Sequence, residues 1–172
     1  NYFKKAKLTS KVLVVNTGIN TMTGGRILKI KNLLKNDKKF FLTYGDGVSN
    51  ININKVLKLH NQKKKLLTLT AVQPNLKYGV VKFSKNKLSI EKFEEKPKKH
   101  FISGGFFVVS TKIFKYINGP KSIFEFDCLP KLAKQKKIIG YKHSGFWHSL
   151  DTMKDKINLN KIWNKGNAPW IK

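Results

Sequence analysis

The sequence has few acidic residues and almost no arginine. Nine aspartates and glutamates stand against 36 lysines and arginines, the net charge is +27, and Arg26 is the single arginine. A nucleic-acid-binding groove more often combines arginine, for bidentate contacts, with aromatic side chains between the charges. Here the lysines are spread along the whole chain among many asparagines and isoleucines, a composition typical of adenine- and thymine-rich codons. Phosphorylated small molecules are therefore favoured over nucleic acid as the anionic partners.

Cysteine and long apolar runs are also scarce. Cys128 is the only cysteine, which excludes an intramolecular disulfide or a cysteine-based zinc site and suits a reducing cytosol. We expect it to be a small buried side chain on a helix. No apolar run approaches membrane-spanning length and no signal peptide is visible, so we expect a cytoplasmic protein with no membrane partner.

Short apolar runs bounded by turn residues alternate with helical periodicity, which predicts an α/β fold in one domain over residues 1–172. Predicted strands cover 11–16, 39–45, 66–72, 104–110 and 138–142, with an antiparallel hairpin formed by 78–83 and 87–97. Predicted helices cover 27–34, 54–64, 111–116, 122–136 and 152–163. The hydrophobic residues make up 40% of the chain, which is enough to form a core.

The segment TGINTMTGGR, residues 17–26, lies at a predicted junction between a strand and a helix. Glycines there would let the backbone approach a ligand, and a helix N-terminus favours an anion. Arg26 would grip a phosphate or carboxylate through two N–H groups, which lysine cannot do. The alternative is a glycine turn with a surface arginine, and this segment alone favours that alternative.

Two aspartates are candidate metal ligands. Asp46, in YGDGV, follows the carboxyl end of a predicted strand, where ligands bind in open α/β sheets. An Asp-Gly pair is also an ordinary tight turn, but the scarcity of acidic residues makes this carboxylate more informative. Asp151, in GFWHSLDT, would by itself be read as the N-cap of the last helix. Brought to one pocket, the two would form a metal site suited to nucleotidyl transfer.

The segment EEKP, residues 94–97, is a third candidate. Glu95 would accept hydrogen bonds from sugar hydroxyls while Lys96 would meet a phosphate. A charged strand end stopped by proline is an equally good interpretation. The four histidines show no metal-ligand spacing, and none is given a catalytic role; they are His60, His100, His143 and His148.

These motifs, taken in order and spacing, resemble the glucose-1-phosphate cytidylyltransferase family of sugar nucleotidyltransferases. The resemblance runs from about Val12 to the C-terminus through MTGGR, TYGDGV, EKP, GGFFV, GFW, LDT, DK and the closing W-x-K-G-x-A-P-W. It implies a Rossmann-like α/β nucleotidyltransferase fold with a mixed sheet. It also implies formation of CDP-glucose and pyrophosphate from CTP and glucose 1-phosphate with Mg²⁺, in a homo-oligomer.

The resemblance also implies roles for individual residues. Asp46 and Asp151 would bind the metal, and Arg26, Asp46 and Lys96 would be the catalytic residues. The residues implied at the nucleotide are Thr21, Arg26 and Gly45. Those implied at the sugar phosphate are Glu95, Lys96, Ser103 and Gly104.

The family's first strand and its glycine-rich loop, G-G-x-G-T-R, are not found in these 172 residues. That loop holds the triphosphate through backbone N–H groups. We therefore expect no turnover from this chain alone. A basic nucleic-acid-binding domain, and a non-catalytic relic or subunit of a sugar nucleotidyltransferase, are the alternative functions.

Overall fold

The computed structural model describes residues 12–74, 78–95 and 100–171. The strands are β1 Lys39–Thr43, β2 Gly47–Ser49, β3 Leu67–Val72, β4 Val80–Phe83, β5 Ile90–Glu94, β6 Ile102–Ser110, β7 Ile138–His143 and β8 Trp147–Ser149. The α-helices are α1 Thr23–Lys29, α2 Ile53–Lys63, α3 Leu129–Lys134 and α4 Met153–Asn164. Two 3-10 helices cover Lys31–Leu34 and Thr111–Tyr116, and a π-helix covers Phe124–Cys128.

A mixed four-stranded sheet with the order β1-β6-β3-β7 organises the molecule. Strand β6 is antiparallel to both β1 and β3, and β7 is parallel to β3. Strands β1, β3 and β7 therefore run in the same direction, and their carboxyl ends lie at one edge of the sheet. The predicted α/β class with a mixed sheet is confirmed.

The core lies between the middle of the sheet and the segment that carries the π-helix and α3. Leu67 and Val109 from the central strands are fully buried, as are Phe124, Cys128 and Leu132 from the helical side. The predicted buried position of Cys128 on a helix is confirmed. Burial raises the pKa of its thiol to about 11, so the thiol stays protonated at neutral pH.

The predicted strand at 11–16 is wrong for the residues that the structure describes. Residues 12–16 form no strand, and Val12, Leu13 and Val14 are 69%, 60% and 89% exposed. Lys11 lies outside the described residues. An apolar run becomes a strand only where a neighbouring strand accepts its backbone hydrogen bonds, and no described strand pairs with this run.

The helix predicted over 122–136 is divided into two parts. The π-helix comes first, and α3 begins with Pro130 in its opening turn. Proline has no amide hydrogen to donate to the preceding turn, so a regular α-helix cannot continue through it unchanged. Strands β2 and β8 were not predicted, because each is only three residues long and they pair with each other across a long stretch of sequence. No helix in the described ranges has the length and apolar character needed to cross a membrane.

Candidate active site

The structure brings Asp46 and Asp151 to one cavity. Asp46 precedes β2 and Asp151 follows β8, and these strands pair antiparallel with Gly47 opposite Ser149. The Leu150 N–H donates to the Asp46 carbonyl at 2.8 Å, which closes the same end of the pair. The cavity, of about 260 Å³, opens at the carboxyl edge of the main sheet and is lined by both aspartates together with Tyr44, Gly47, Ile102, Ser103, Gly104, Gly105, Trp147 and Ser149.

Asp151 does not cap the last helix. The N-cap of α4 is Thr152, whose hydroxyl accepts from the Asp155 N–H at 3.2 Å. The Asp155 carboxylate accepts in return from the Thr152 N–H at 2.9 Å, which completes a capping box. The Asp151 carboxylate instead accepts from the Ser149 hydroxyl at 2.6 Å. Its position is therefore set from the cavity wall, and capping does not explain why an aspartate stands there.

A β-bulge at the start of β6 shapes the floor of the cavity. The register between β3 and β6 shifts between Leu69 and Ala71, and Gly105 has a φ of +75°. A Cβ atom on Gly104 would lie only 2.9 Å from the Val72 Cγ1 atom. The Gly104 carbonyl accepts from the Trp147 indole N–H at 2.8 Å, which ties β8 to the main sheet. Bulges of this kind are common beside active sites, where they redirect the backbone.

Ser103 and Gly104 lie in this floor, beside the two aspartates. The Ser103 hydroxyl accepts from the Gly105 N–H at 3.4 Å, so it supports the bulge. Gly45 occupies the exposed turn just before Asp46, with no atom within 4 Å of the place where a Cβ would be. Glu95 is exposed just after β5 and does not line the cavity. Lys96 lies outside the described residues.

Thr21 and Arg26 lie together, but they do not line the aspartate cavity. The Arg26 Nη1 donates to the Thr17 hydroxyl at 2.5 Å, and its Nη2 donates to the Ile19 carbonyl at 3.4 Å. Thr21 is buried, and its hydroxyl donates to the Thr17 carbonyl at 2.5 Å. In this structure both side chains hold the loop 17–19 against the start of α1.

The prediction that the glycine pair admits a ligand is wrong. Gly24 and Gly25 are buried against the chain's own loop, and a Cβ on Gly24 would lie 2.9 Å from the Ser122 carbonyl oxygen. The Met22 N–H donates to the Pro120 carbonyl at 2.9 Å, and the Gly25 N–H donates to the Ser122 carbonyl at 3.2 Å. The close approach that the glycines permit is therefore between two parts of the protein, and it uses N–H groups that an anion would need.

Glu125 links α1 to the aspartate cavity, and the sequence analysis missed it. Its carboxylate accepts hydrogen bonds from the Tyr44 hydroxyl and from the Thr23 hydroxyl, the latter at 2.8 Å. Burial, followed by this bond to Glu125, holds the pKa of Tyr44 well above its usual range, so Tyr44 stays protonated. The signal available in the sequence was the scarcity of acidic residues, because Glu125 and Asp127 interrupt an otherwise apolar run.

The donor set at the cavity fits a hard divalent cation. Asp46 and Asp151 offer carboxylate oxygens, the ligands that Mg²⁺ prefers. Within the described ranges no group of three or more histidine, cysteine or acidic side chains is placed to hold a metal. Mg²⁺ is commonly bound by only one or two carboxylates, with water and substrate phosphates completing its octahedron. Water and the phosphate oxygens of a ligand would complete the coordination of a cation at such a site.

The fold and this cavity define a class of protein. It is an α/β protein whose two carboxylates, at the carboxyl edge of the sheet, suit a cation together with a phosphate-bearing ligand. The sequence matches the Nucleotidyl transferase family over residues 4–164, and the chain belongs to that family. The resemblance inferred from the motifs is confirmed at the level of individual relatives as well.

The chain is 37% identical over 161 residues to glucose-1-phosphate cytidylyltransferase from Salmonella typhi, covering 92% of this chain and 62% of the relative. It is also 37% identical over 166 residues to a probable glucose-1-phosphate cytidylyltransferase from Bacillus subtilis, covering 94% of this chain and 63% of the relative. The chain thus spans less than two thirds of the length of these relatives.

Solved structures share the fold at low sequence identity. HddC from Yersinia pseudotuberculosis superposes with a TM-score of 0.66 at 19% identity, covering 94% of this chain and 71% of that one, and it has also been solved in complex with GMP-PN. A putative glucose-1-phosphate thymidylyltransferase from Bacillus anthracis gives a TM-score of 0.62 at 18% identity, covering 94% and 65%. The predicted nucleotidyltransferase fold is confirmed.

Proposed function

We propose that this chain carries part of the site for transferring a cytidylyl group from CTP to glucose 1-phosphate, giving CDP-glucose and pyrophosphate. The observation that carries the proposal is the meeting of Asp46 and Asp151 in one cavity at the carboxyl edge of the sheet. These residues are separated by more than a hundred positions in the sequence. The similarity to two cytidylyltransferases at 37% identity supports CTP and glucose 1-phosphate as the substrates.

In this proposal Asp46 and Asp151 hold Mg²⁺ between them. When bound, the ion would neutralise charge on the nucleotide phosphates. The Ser149 hydroxyl fixes the Asp151 carboxylate, and the turn at Gly45 presents Asp46.

The reaction needs positioning and charge neutralisation more than it needs a general base. A phosphate oxygen of glucose 1-phosphate, already anionic, forms a bond to the α-phosphorus of CTP as the bond to pyrophosphate breaks. We place Glu95, Lys96, Ser103 and Gly104 at the sugar phosphate. The missing side chain at Gly104 lets Val72 pack closely behind the cavity floor, because a Cβ there would lie 2.9 Å from the Val72 Cγ1 atom.

We place Thr21, Arg26 and Gly45 at the nucleotide, with Arg26, Asp46 and Lys96 as the catalytic residues. A guanidinium has five N–H donors, and the bonds to Thr17 and Ile19 use two of them. Arg26 can therefore hold its loop and still present donors to a phosphate. In this proposal, the need to bond both the loop and a phosphate accounts for arginine at this position in a chain that otherwise uses lysine.

The direct test is metal-dependent binding of CTP, with Mn²⁺ as a paramagnetic probe. We expect Asp46→Asn and Asp151→Asn each to weaken Mn²⁺ binding in the presence of CTP by about tenfold or more, because each removes a charged ligand. Asp37→Asn, an exposed aspartate just before β1, is the matched control and should change nothing. Unchanged binding in both site variants would exclude this cavity as the metal site.

Turnover is a separate question. Because these 172 residues contain no G-G-x-G-T-R segment, we expect the purified chain to bind CTP without forming CDP-glucose. Detection of CDP-glucose would contradict that expectation while strengthening the assignment of the reaction.

We further propose that residues 1–172 form one domain, act in the cytoplasm and assemble with copies of themselves. The β4–β5 hairpin supports the assembly, because Phe83, Ile90 and Phe93 are 55%, 58% and 62% exposed. Apolar side chains grouped in this way commonly mark contact surfaces. Sedimentation of the purified chain would test the proposal, and a monomer at all concentrations would contradict it.

A further inference from the structure

Six lysines surround a second cavity at the opposite edge of the sheet. This lysine cluster consists of Lys64, Lys65, Lys112, Lys115, Lys136 and Lys137, and the cavity, of about 490 Å³, is completed by Leu66, Tyr116 and Gln135. These residues come from three connections: the one entering β3, the one leaving β6 and the one entering β7. The aspartate cavity lies where β3 and β7 end, so the two cavities are separated by the length of the sheet.

The lysine cluster carries more positive charge than the fold requires. Helices α2 and α3 both end here, and lysines at a helix C-terminus interact favourably with its partial negative charge. Each helix end is equivalent to only about half an elementary charge, whereas the cluster carries six. No acidic side chain lines this cavity among the described residues. The local excess of cations is therefore uncompensated by the protein.

The cluster is built on a fixed backbone. The Leu66 N–H donates to the Lys137 carbonyl at 2.9 Å, and the Lys137 N–H donates to the Leu132 carbonyl at 2.8 Å. The Lys137 ammonium donates to the Tyr116 hydroxyl at 2.5 Å and to the Gln135 Oε1 at 2.8 Å. One cation of the cluster is thus held in place at the cavity wall.

Two of the lysines have left-handed backbones. Lys64 has a φ of 50° and Lys136 a φ of 54°, and each follows the end of a helix. Glycine or asparagine usually occupies such positions, because a side chain there makes the conformation costly. Lysine at both positions adds two charges to the rim, and strained backbones of this kind cluster at functional sites.

We infer that the lysine cluster binds a small oligophosphate, such as inorganic triphosphate or the triphosphate of a nucleotide. Ammonium groups are compact point charges that bind phosphate without demanding one planar geometry. The cavity volume lies within the range of small-molecule sites. Six cations around one concave site suit a ligand with several adjacent negative charges.

The test is calorimetric titration of the 172-residue chain with inorganic triphosphate in metal-free buffer. The variant is Lys112→Gln with Lys115→Gln, two exposed lysines three residues apart. Lys55→Gln with Lys58→Gln is the matched control, because this pair has the same spacing and exposure and removes the same net charge, but lies outside the cavity. We expect about tenfold weaker binding in the first variant and less than about twofold in the control.

Further arms separate this site from its alternatives. Equal losses in the two variants would overturn the inference, because they would show attraction to the net charge alone. Asp46→Asn should leave metal-free triphosphate binding unchanged. Clearly tighter binding in that variant would assign the binding to the aspartate cavity instead, because the substitution removes a carboxylate that repels phosphate. CTP and inorganic triphosphate should bind with similar affinity if the phosphate chain is recognised.

Single-stranded RNA tests the alternative of a nucleic-acid site. If RNA binds more tightly than triphosphate, and if its affinity falls further than that of triphosphate in the Lys112/Lys115 variant, the small-molecule site is contradicted. Lys112→Arg with Lys115→Arg should restore binding, which excludes a folding defect as the cause.

Discussion

The two edges of the main sheet differ in charge although the chain as a whole is strongly basic. At the carboxyl edge of β1, β3 and β7, Asp46 and Asp151 line one cavity. The Glu125 carboxylate accepts a hydrogen bond from the hydroxyl of Tyr44, which lines the same cavity. At the opposite edge six lysines surround the other cavity. The net charge of +27 for the whole chain therefore does not show how charge is distributed between the two edges. A phosphate ligand would need a metal ion as intermediary at the first edge, whereas it could bind the second directly.

The two edges also use the backbone differently. The carboxyl edge uses glycines for close packing: a Cβ on Gly104 would lie 2.9 Å from the Val72 Cγ1 atom, and one on Gly105 would lie 3.0 Å from the Tyr44 ring. Gly45 alone among these glycines stands in an open turn. The lysine edge keeps long side chains at helix ends, even where Lys64 and Lys136 must adopt left-handed backbones. One edge is packed closely around its cavity, and the other surrounds its cavity with long, flexible cations.

The largest effect should come from filling the carboxyl edge. A Cβ on Gly104 would lie 2.9 Å from the Val72 Cγ1 atom and 3.2 Å from the Thr70 carbonyl oxygen. We expect Gly104→Ala to lower the free energy of unfolding by about 2 kcal/mol, because added atoms in a packed site force the backbone to shift. Urea denaturation measures this. Gly140→Ala is the matched control, since that glycine also lies in a strand but no atom lies within 4 Å of the place where its Cβ would be. Equal stability of the two variants would show that the floor of the cavity is not tightly packed.

A smaller effect is expected from neutralising Glu125. Glu125→Gln keeps one acceptor but loses the charge that strengthens the bonds from Tyr44 and Thr23. We expect a loss of about 1–2 kcal/mol in the free energy of unfolding, which is the range for hydrogen bonds to charged groups. The pKa of Tyr44 should fall toward its usual value in a spectrophotometric titration, because the carboxylate is one of the causes that raise it.

Glu91→Gln is the control for that change, since Glu91 forms an exposed ion pair with Lys82. Exposed pairs of this kind contribute little to stability. If Glu125→Gln left both the stability and the Tyr44 titration unchanged, the link between α1 and the aspartate cavity would have no energetic role.

The sequence predicted the parts of the molecule that local patterns determine. Strands β3 and β6 were found because their apolar runs are buried in the centre of the sheet. Asp46 was singled out because acidic residues are scarce, and its role as a metal ligand stays a prediction. The bond between Glu125 and Tyr44 was missed because it joins residues 81 positions apart, and no local pattern records such a contact. The lysine cluster was missed for the opposite reason, since lysines are so common along the chain that their convergence in space leaves no signal.

The smallest effect concerns pH and the lysine edge. His60, in the last turn of α2, is 5% exposed, and its Nδ1 lies 2.9 Å from the Thr68 hydroxyl. Burial, followed by the charge of Lys39 at the start of β1, lowers the pKa of His60 in the folded chain. Because the unfolded state then binds a proton at a higher pH than the folded state, stability should fall as the pH drops below about 6.5, with a slope of at most about 1.4 kcal/mol per pH unit.

His60→Gln should flatten this slope in a series of urea denaturations at different pH values. His100→Gln, at an exposed position, should not flatten it. A slope that persists unchanged in His60→Gln would show that the acid sensitivity arises from another group. A weaker slope in Lys39→Gln would show that the cations of this edge help to keep His60 neutral.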